Sequence, residues 1–183
     1  MSEDISWTAF VIAIAVWAFI VAAHGLGFVA VYRWVARSKD SGRIVVGGAA
    51  AGLVGWFWAC VIMVGIDLYF DGRSNGMLVI IWVYGIILTW MPGMGFTTVF
   101  WLVLRWLEVP TGLLARGLFG AIVGFVLAIF LGWPMDNLLN GGRYAAQHGM
   151  LNLFLFLFVP ISFFSAIMAG AGRSGKAVVP ESQ

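Results

Sequence analysis

Long apolar runs, separated by short polar segments, follow one another along the whole chain. Each run reaches the roughly 20 residues that an α-helix needs to cross about 30 Å of hydrocarbon. Four segments separate the runs: a basic cluster after Tyr32, a polar turn at 71–75, the pair Pro110 and Gly112, and a loop at 134–144. The pattern predicts five transmembrane helices. Their expected ranges are 7–32, 44–70, 76–106, 113–133 and 145–170.

Composition favours an all-α integral membrane protein with one transmembrane domain over residues 1–183. Of the 183 residues, 62% are hydrophobic and only 10% are charged, whereas soluble domains carry about 25% charged residues. The basic residues lie in several short loops and form no single patch, so the pattern excludes a nucleic-acid-binding protein. Membrane lipid is the expected surrounding, and we expect bound lipid.

The basic residues also predict an orientation, because lysine and arginine are retained on the cytoplasmic side of membrane helices. Placing the N-terminus outside and the C-terminus in the cytoplasm puts eight basic residues inside and two outside. The inner eight are Arg33, Arg37, Lys39, Arg43, Arg105, Arg116, Arg173 and Lys176, and the outer two are Arg73 and Arg143. The interpretation is a protein of a bacterial inner membrane.

Small residues recur every four positions in two of the predicted helices, which gives each helix a face with little side-chain volume. The first set is Gly120, Gly124, Ala128 and Gly132, and the second is Gly47, Ala51, Gly55 and Ala59. In lipid such faces let helix backbones approach closely, and this packing drives helix association. The partner is either another helix of this chain or a helix of another subunit.

The third helix carries Pro92 and Gly93 near its middle, between Thr89 and Thr97. Proline removes a backbone donor, so a kink is expected, with the freed carbonyl satisfied by protein, hydroxyl or water. A broken helix of this kind either lines a substrate cavity or is a plain kink packed against its neighbours.

His24 is the candidate cofactor ligand. It lies inside the first helix beside Gly25, which leaves room for a flat group such as haem or a magnesium chlorin. The alternative is a hydrogen-bonded packing role, although ionisable residues inside a membrane are functional candidates by default. A haem shared with His148 is excluded, because His24 lies 17 residues after Trp7 and hence about 25 Å below the outer boundary, where His148 is expected.

A second candidate site lies at the outer ends of the helices. Asp67 ends the second helix, Asp136 follows the fourth, and His148 begins the fifth, four residues before Asn152. Carboxylates with an imidazole could bind a divalent metal or relay protons. The alternative is a solvated belt of helix ends.

Three functions remain open. The first is a small accessory or structural subunit of a larger membrane complex, of an electron-transfer or oxygenase type, without catalytic activity of its own. Its partners would be other membrane subunits or further copies of itself. The second is a small oligomeric transporter or channel, and the third is a membrane-embedded haem or metal enzyme.

Overall fold

A computed structural model describes residues 7–37, 40–70, 77–107, 112–139 and 149–174. Within these ranges the chain forms five α-helices and no β-strand. They are α1 (Trp7–Ala36), α2 (Ser41–Phe70), α3 (Met77–Leu107), α4 (Leu113–Leu139) and α5 (Gly149–Ser174). Each helix is long and apolar enough to cross a membrane, so the prediction of an all-α chain with five helices of spanning length is confirmed for the described residues.

The largest difference from the predicted ranges is at the end of α4. The sequence predicts that this helix stops at Trp133, before Pro134, but α4 continues through the proline to Leu139. A proline inside a helix removes one backbone hydrogen bond, and helices packed against neighbours in a membrane tolerate that loss. The extra turn carries Asp136 alongside the start of α5.

Neighbouring helices run in opposite directions. Gly48, near the start of α2, contacts Thr97 of α3, whereas Trp56, two turns later in α2, contacts Gly85 of α3. Residue numbers therefore rise along α2 as they fall along α3. The contacts between α4 and α5 have the same order, which is expected when short loops join successive spans.

The helices α2 and α5 form the centre of the bundle. α2 packs against α1, α3 and α5, while α5 packs against all four other helices, most extensively against α4. Buried side chains of α1, α2, α3 and α5 form three clusters around this centre. The clusters are Val35, Ile44, Ala51, Met168 and Ala171; Phe100, Leu104, Ala166 and Ala169; and Trp56, Ala59 and Cys60.

α1 lies at the edge of the bundle and is held mainly by its second half. None of the residues in its most apolar 18-residue stretch is buried, compared with 61% in α2. Val35 nevertheless reaches the first buried cluster. The guanidinium of Arg43 in α2 also lies 4.9 Å from the centre of the Trp34 ring, which is within the range of a cation–π contact.

Candidate functional site

The small face of α4 lies against α5 of the same chain. A Cβ atom placed on Gly124 would lie 2.6 Å from the carbonyl oxygen of Phe158, and one placed on Gly132 would lie 2.8 Å from the Cα atom of Leu151. A Cβ atom placed on Gly120 would lie even closer to the carbonyl oxygen of Ser162. These positions have no room for a side chain, so the two backbones are in van der Waals contact over much of their length.

α2 uses two small faces, one turned toward α5 and one toward α3. On the first face, a Cβ atom on Gly47 would lie 2.9 Å from the sulfur of Met168, and one on Gly55 would lie 2.6 Å from the Cα atom of Ile161. On the second face, Gly48 and Gly52 lie against Gly93 of α3.

Sequence reasoning missed the second face of α2. The four-residue spacing of Gly48 and Gly52 is the signal that could have indicated it. The spacing is easily overlooked because the parallel series through Gly47 and Gly55 is only one residue away.

Pro92 and Gly93 lie inside an uninterrupted α3. Gly93 is buried at the crossing with α2, where its Cα position faces the backbone of Gly48 and Gly52. The hydroxyl of Ser165 in α5 donates to the carbonyl oxygen of Gly93 at 3.4 Å, and that of Thr89 donates to the carbonyl oxygen of Gly85 at 2.6 Å. Close packing and hydroxyl donors therefore surround this part of α3, and its glycine borders another helix instead of a cavity.

Asp136 is buried and its carboxylate is used at the N-terminus of α5. Its Oδ2 atom accepts a hydrogen bond from the backbone N–H of Leu151 at 3.0 Å. The first turn of α5 has no acidic residue of its own, and a helix N-terminus is stabilised by a nearby negative charge. Asp136 therefore acts as a cap that a neighbouring helix supplies.

The predicted metal group is only partly within the described residues. Asp67 belongs to α2, although its side chain is not among those described, and His148 lies outside the described ranges. Asn152 is exposed on α5. In the described part of the chain, no three His, Cys, Asp or Glu residues lie together as metal ligands would.

Arg116, in the first turns of α4, is also buried. Its guanidinium lies against Gly170, four residues before α5 ends at Ser174. Its Nε atom has no hydrogen-bond partner among the described residues. A helix C-terminus carries partial negative charge, so the position of the guanidinium is electrostatically favourable.

His24 has a defined orientation on the side of α1 that faces α2. Its Nδ1 atom lies 2.8 Å from the carbonyl oxygen of Ile20, and its ring stacks on the buried ring of Phe57 with 4.1 Å between centroids and 12° between planes. A carbonyl oxygen can only accept, so Nδ1 carries the proton of this bond. In the neutral ring, Nε2 then has a free lone pair.

A cleft of about 360 Å³ lies beside His24, partly open to the outside of the bundle. His24 contributes the only polar side chain of its described lining. The apolar lining comprises Ala23, Gly27, Phe28 and Val31 of α1, Ala50, Leu53 and Val54 of α2, and Ile86 of α3. The volume lies within the range of about 300–1,000 Å³ that is usual for small-molecule sites.

The arrangement of these residues separates two kinds of feature. Gly47, Gly55, Gly120, Gly124 and Gly132 lie at contacts between helices of this chain, whereas His24 borders a cleft that the chain leaves open. Comparison with protein-family models, with curated proteins and with solved structures found no match to this chain.

Proposed function

We propose that this chain is inserted in a bacterial inner membrane, with its N-terminus outside and its C-terminus in the cytoplasm. Five helices of spanning length, with neighbours antiparallel, support insertion. The eight-to-two division of basic residues supports this orientation.

Cysteine labelling tests the orientation. Cys60 is the only cysteine, so a Cys60→Ala background allows single cysteines to be introduced at Ser2 and Ser182. A membrane-impermeant maleimide should label position 2 in intact cells whose outer membrane has been permeabilised, and position 182 only after the inner membrane is opened. The reverse labelling pattern would contradict the orientation.

Within that membrane, the function that we propose is a noncatalytic accessory subunit of a larger complex, of an electron-transfer or oxygenase type. The observation that carries the proposal is the exposure of α1. Trp17 and Phe19 are exposed together with Val11, Ile12, Ile14 and Val16, so the first half of α1 has little contact with its own bundle. A helix in this setting offers a surface for a helix of another subunit.

α1 also carries a small face that no described part of this chain covers. Ala18, Ala22 and Gly25 are exposed, and their spacing of four and three residues places them on one side of the helix. A Cβ atom placed on Gly25 would meet nothing within 4 Å. The comparable faces of α2 and α4 lie at helix crossings. The same chemistry on α1 therefore fits a crossing with a helix from a partner.

The packing of α3 gives less support to a transporter. The proposed path for a substrate would follow the Pro92 and Gly93 region, but Gly93 is in close backbone contact with Gly48 and Gly52. A subunit whose own helices are closed against one another, with one peripheral helix, fits an accessory role better.

Native mass analysis of the complex, extracted gently from its own membranes, tests the proposal. The wild-type chain should copurify with at least one different integral membrane protein. Ala22→Leu should reduce that recovery at least about fivefold, since leucine would fill the face where a second backbone lies close. Val16→Leu is the matched control, because position 16 is exposed on the opposite side of α1, and it should leave recovery unchanged.

A wild-type chain recovered alone or only with copies of itself would overturn the accessory role and favour the oligomeric transporter. Full recovery of the partner with Ala22→Leu would overturn α1 as the docking helix.

A further inference from the structure

We propose that the cleft between α1 and α2 binds a metallotetrapyrrole, with Nε2 of His24 as its single protein ligand to the metal. The group is either a haem, with iron, or a chlorin, with magnesium, because both take one imidazole nitrogen at an axial position. This inference goes beyond the accessory role and does not depend on it, since the site is built from residues of this chain.

The hydrogen bonding of His24 prepares Nε2 for a metal. Histidines that bind metals almost always donate their other ring N–H to a carboxylate, a backbone carbonyl or water, which fixes the tautomer and the ring orientation. The bond from Nδ1 to the carbonyl oxygen of Ile20 is of this type. The ring of Phe57, which is only 2% exposed, stacks on the imidazole and restricts rotation of the imidazole plane.

The depth of His24 makes water an unsuitable partner for Nε2. His24 lies eight residues before Tyr32, where the apolar run of α1 ends, which corresponds to about 12 Å along the helix. This distance places the imidazole well inside the apolar span. No described residue forms a hydrogen bond with Nε2, so the lone pair remains available to a ligand that dissolves in the membrane.

The lining of the cleft fits a flat apolar ring better than a free metal ion. Ala23, Gly27 and Ala50 are small residues, so a tetrapyrrole ring could approach the backbones of α1 and α2. The rest of the described lining is apolar and supplies no second ligand. A bare ion would lack the oxygen, nitrogen or sulfur ligands that it requires, whereas a tetrapyrrole brings four nitrogens of its own.

The coordination number follows from this lining. The described cleft offers one imidazole and no second protein ligand, so we expect a five-coordinate metal. A reduced haem at this site would then bind carbon monoxide at its open position. The partly open side of the cleft allows the apolar edge of the macrocycle to extend into the surrounding lipid.

Absorption spectroscopy on the purified full chain in lipid nanodiscs tests the proposal. The probes are haemin in one titration and chlorophyll a in another, each compared with protein-free nanodiscs. At least one probe should bind saturably at one per chain, with a shifted Soret band. If haemin is the ligand, its reduced form should show the spectrum of a five-coordinate species and bind carbon monoxide.

Variants connect the spectrum to His24. His24→Ala should weaken binding at least about tenfold and abolish the shift, whereas Phe19→Ala, which changes an exposed side chain of α1 outside the lining of the cleft, should leave both unchanged. His24→Gly with added imidazole should restore the shift if the cleft itself is intact. This rescue distinguishes loss of a ligand from loss of the fold.

The result with each probe decides the proposal. A shift that depends on His24 with haemin identifies an iron site, and one with chlorophyll a identifies a magnesium site. Absence of saturable binding with both probes, or binding that His24→Ala leaves unchanged, would overturn the proposal. It would leave His24 as a histidine that packs on Phe57.

Discussion

The α4–α5 pair and α1 use similar residues in opposite ways. Both regions are strongly apolar and both carry small residues at helical spacing. In α4 the small face is covered by the backbone of α5, whereas in α1 the corresponding face at Ala18, Ala22 and Gly25 is exposed. Both helices are long and apolar enough to cross a membrane, but only the fit between surfaces determines which helices associate.

The strongest test of this contrast is the same substitution at two glycines. Gly124→Leu should strongly destabilise the chain in detergent, because its side chain would meet the Phe158 carbonyl oxygen and the Ser162 side chain. Overpacking of this kind costs about 1–3 kcal/mol and occasionally more. Gly25→Leu should change the stability of the isolated chain little, since the space around Gly25 is open.

Thermal unfolding followed by circular dichroism, together with recovery from size-exclusion chromatography, measures the difference. Both variants carry the same new side chain, so the comparison isolates the surroundings of the two glycines. Equal stability of the two variants would mean that α4 and α5 are not in close contact.

A smaller effect is expected when the cap at the start of α5 is removed. Asp136→Ala deletes the acceptor of the Leu151 N–H, and loss of a helix cap typically costs about 1 kcal/mol. Hydrogen exchange at the Leu151 amide should become faster, while amides in the middle of α5 should be protected as before. The exposed neighbour Asn137, changed to alanine, is the control, and protection of Leu151 in Asp136→Ala would refute the cap.

The smallest effect is expected on the outer surface of α1. Phe19→Ala removes a large side chain that is 74% exposed, so the melting temperature of the isolated chain in detergent should stay within about 1 °C, since it loses little packing. Phe100→Ala is the contrasting variant, because Phe100 is 2% exposed between α3 and α5 and should lose about 3 kcal/mol or more. A clear loss of stability with Phe19→Ala would mean that Phe19 packs against the bundle, contrary to its exposed position on α1.

Local patterns predict the helices, and the structure agrees with them. Apolar runs of spanning length give five helices whose ends fall near the polar boundaries. The exception is Pro134, where the sequence rule for proline predicts an end and tertiary packing carries α4 onward to Leu139. Whether a proline breaks a helix depends on what its neighbours supply, and this is not encoded locally.

The partners of the candidate residues were harder to predict. α2 has little side-chain volume on two sides because it carries small residues at 47, 48, 51, 52 and 55. Spacing alone therefore cannot assign one side to α3 and the other to α5. The use of Asp136 as a cap depends on a residue 15 positions later. Likewise, Phe57 is brought to His24 only when α1 and α2 pack together.

Arg116 and Asp136 are buried charged residues near opposite ends of α4, and their positions favour one alignment of the α4–α5 pair. The cation lies by the C-terminal end of α5 and the anion at its N-terminal end, so each meets the opposite partial charge of the helix dipole. A parallel arrangement would reverse both matches. Sliding α4 by one turn, about 5.4 Å, would separate both charges from their places at once. The glycines allow the two helices to come close at several offsets, and the charges select one direction and one offset among them.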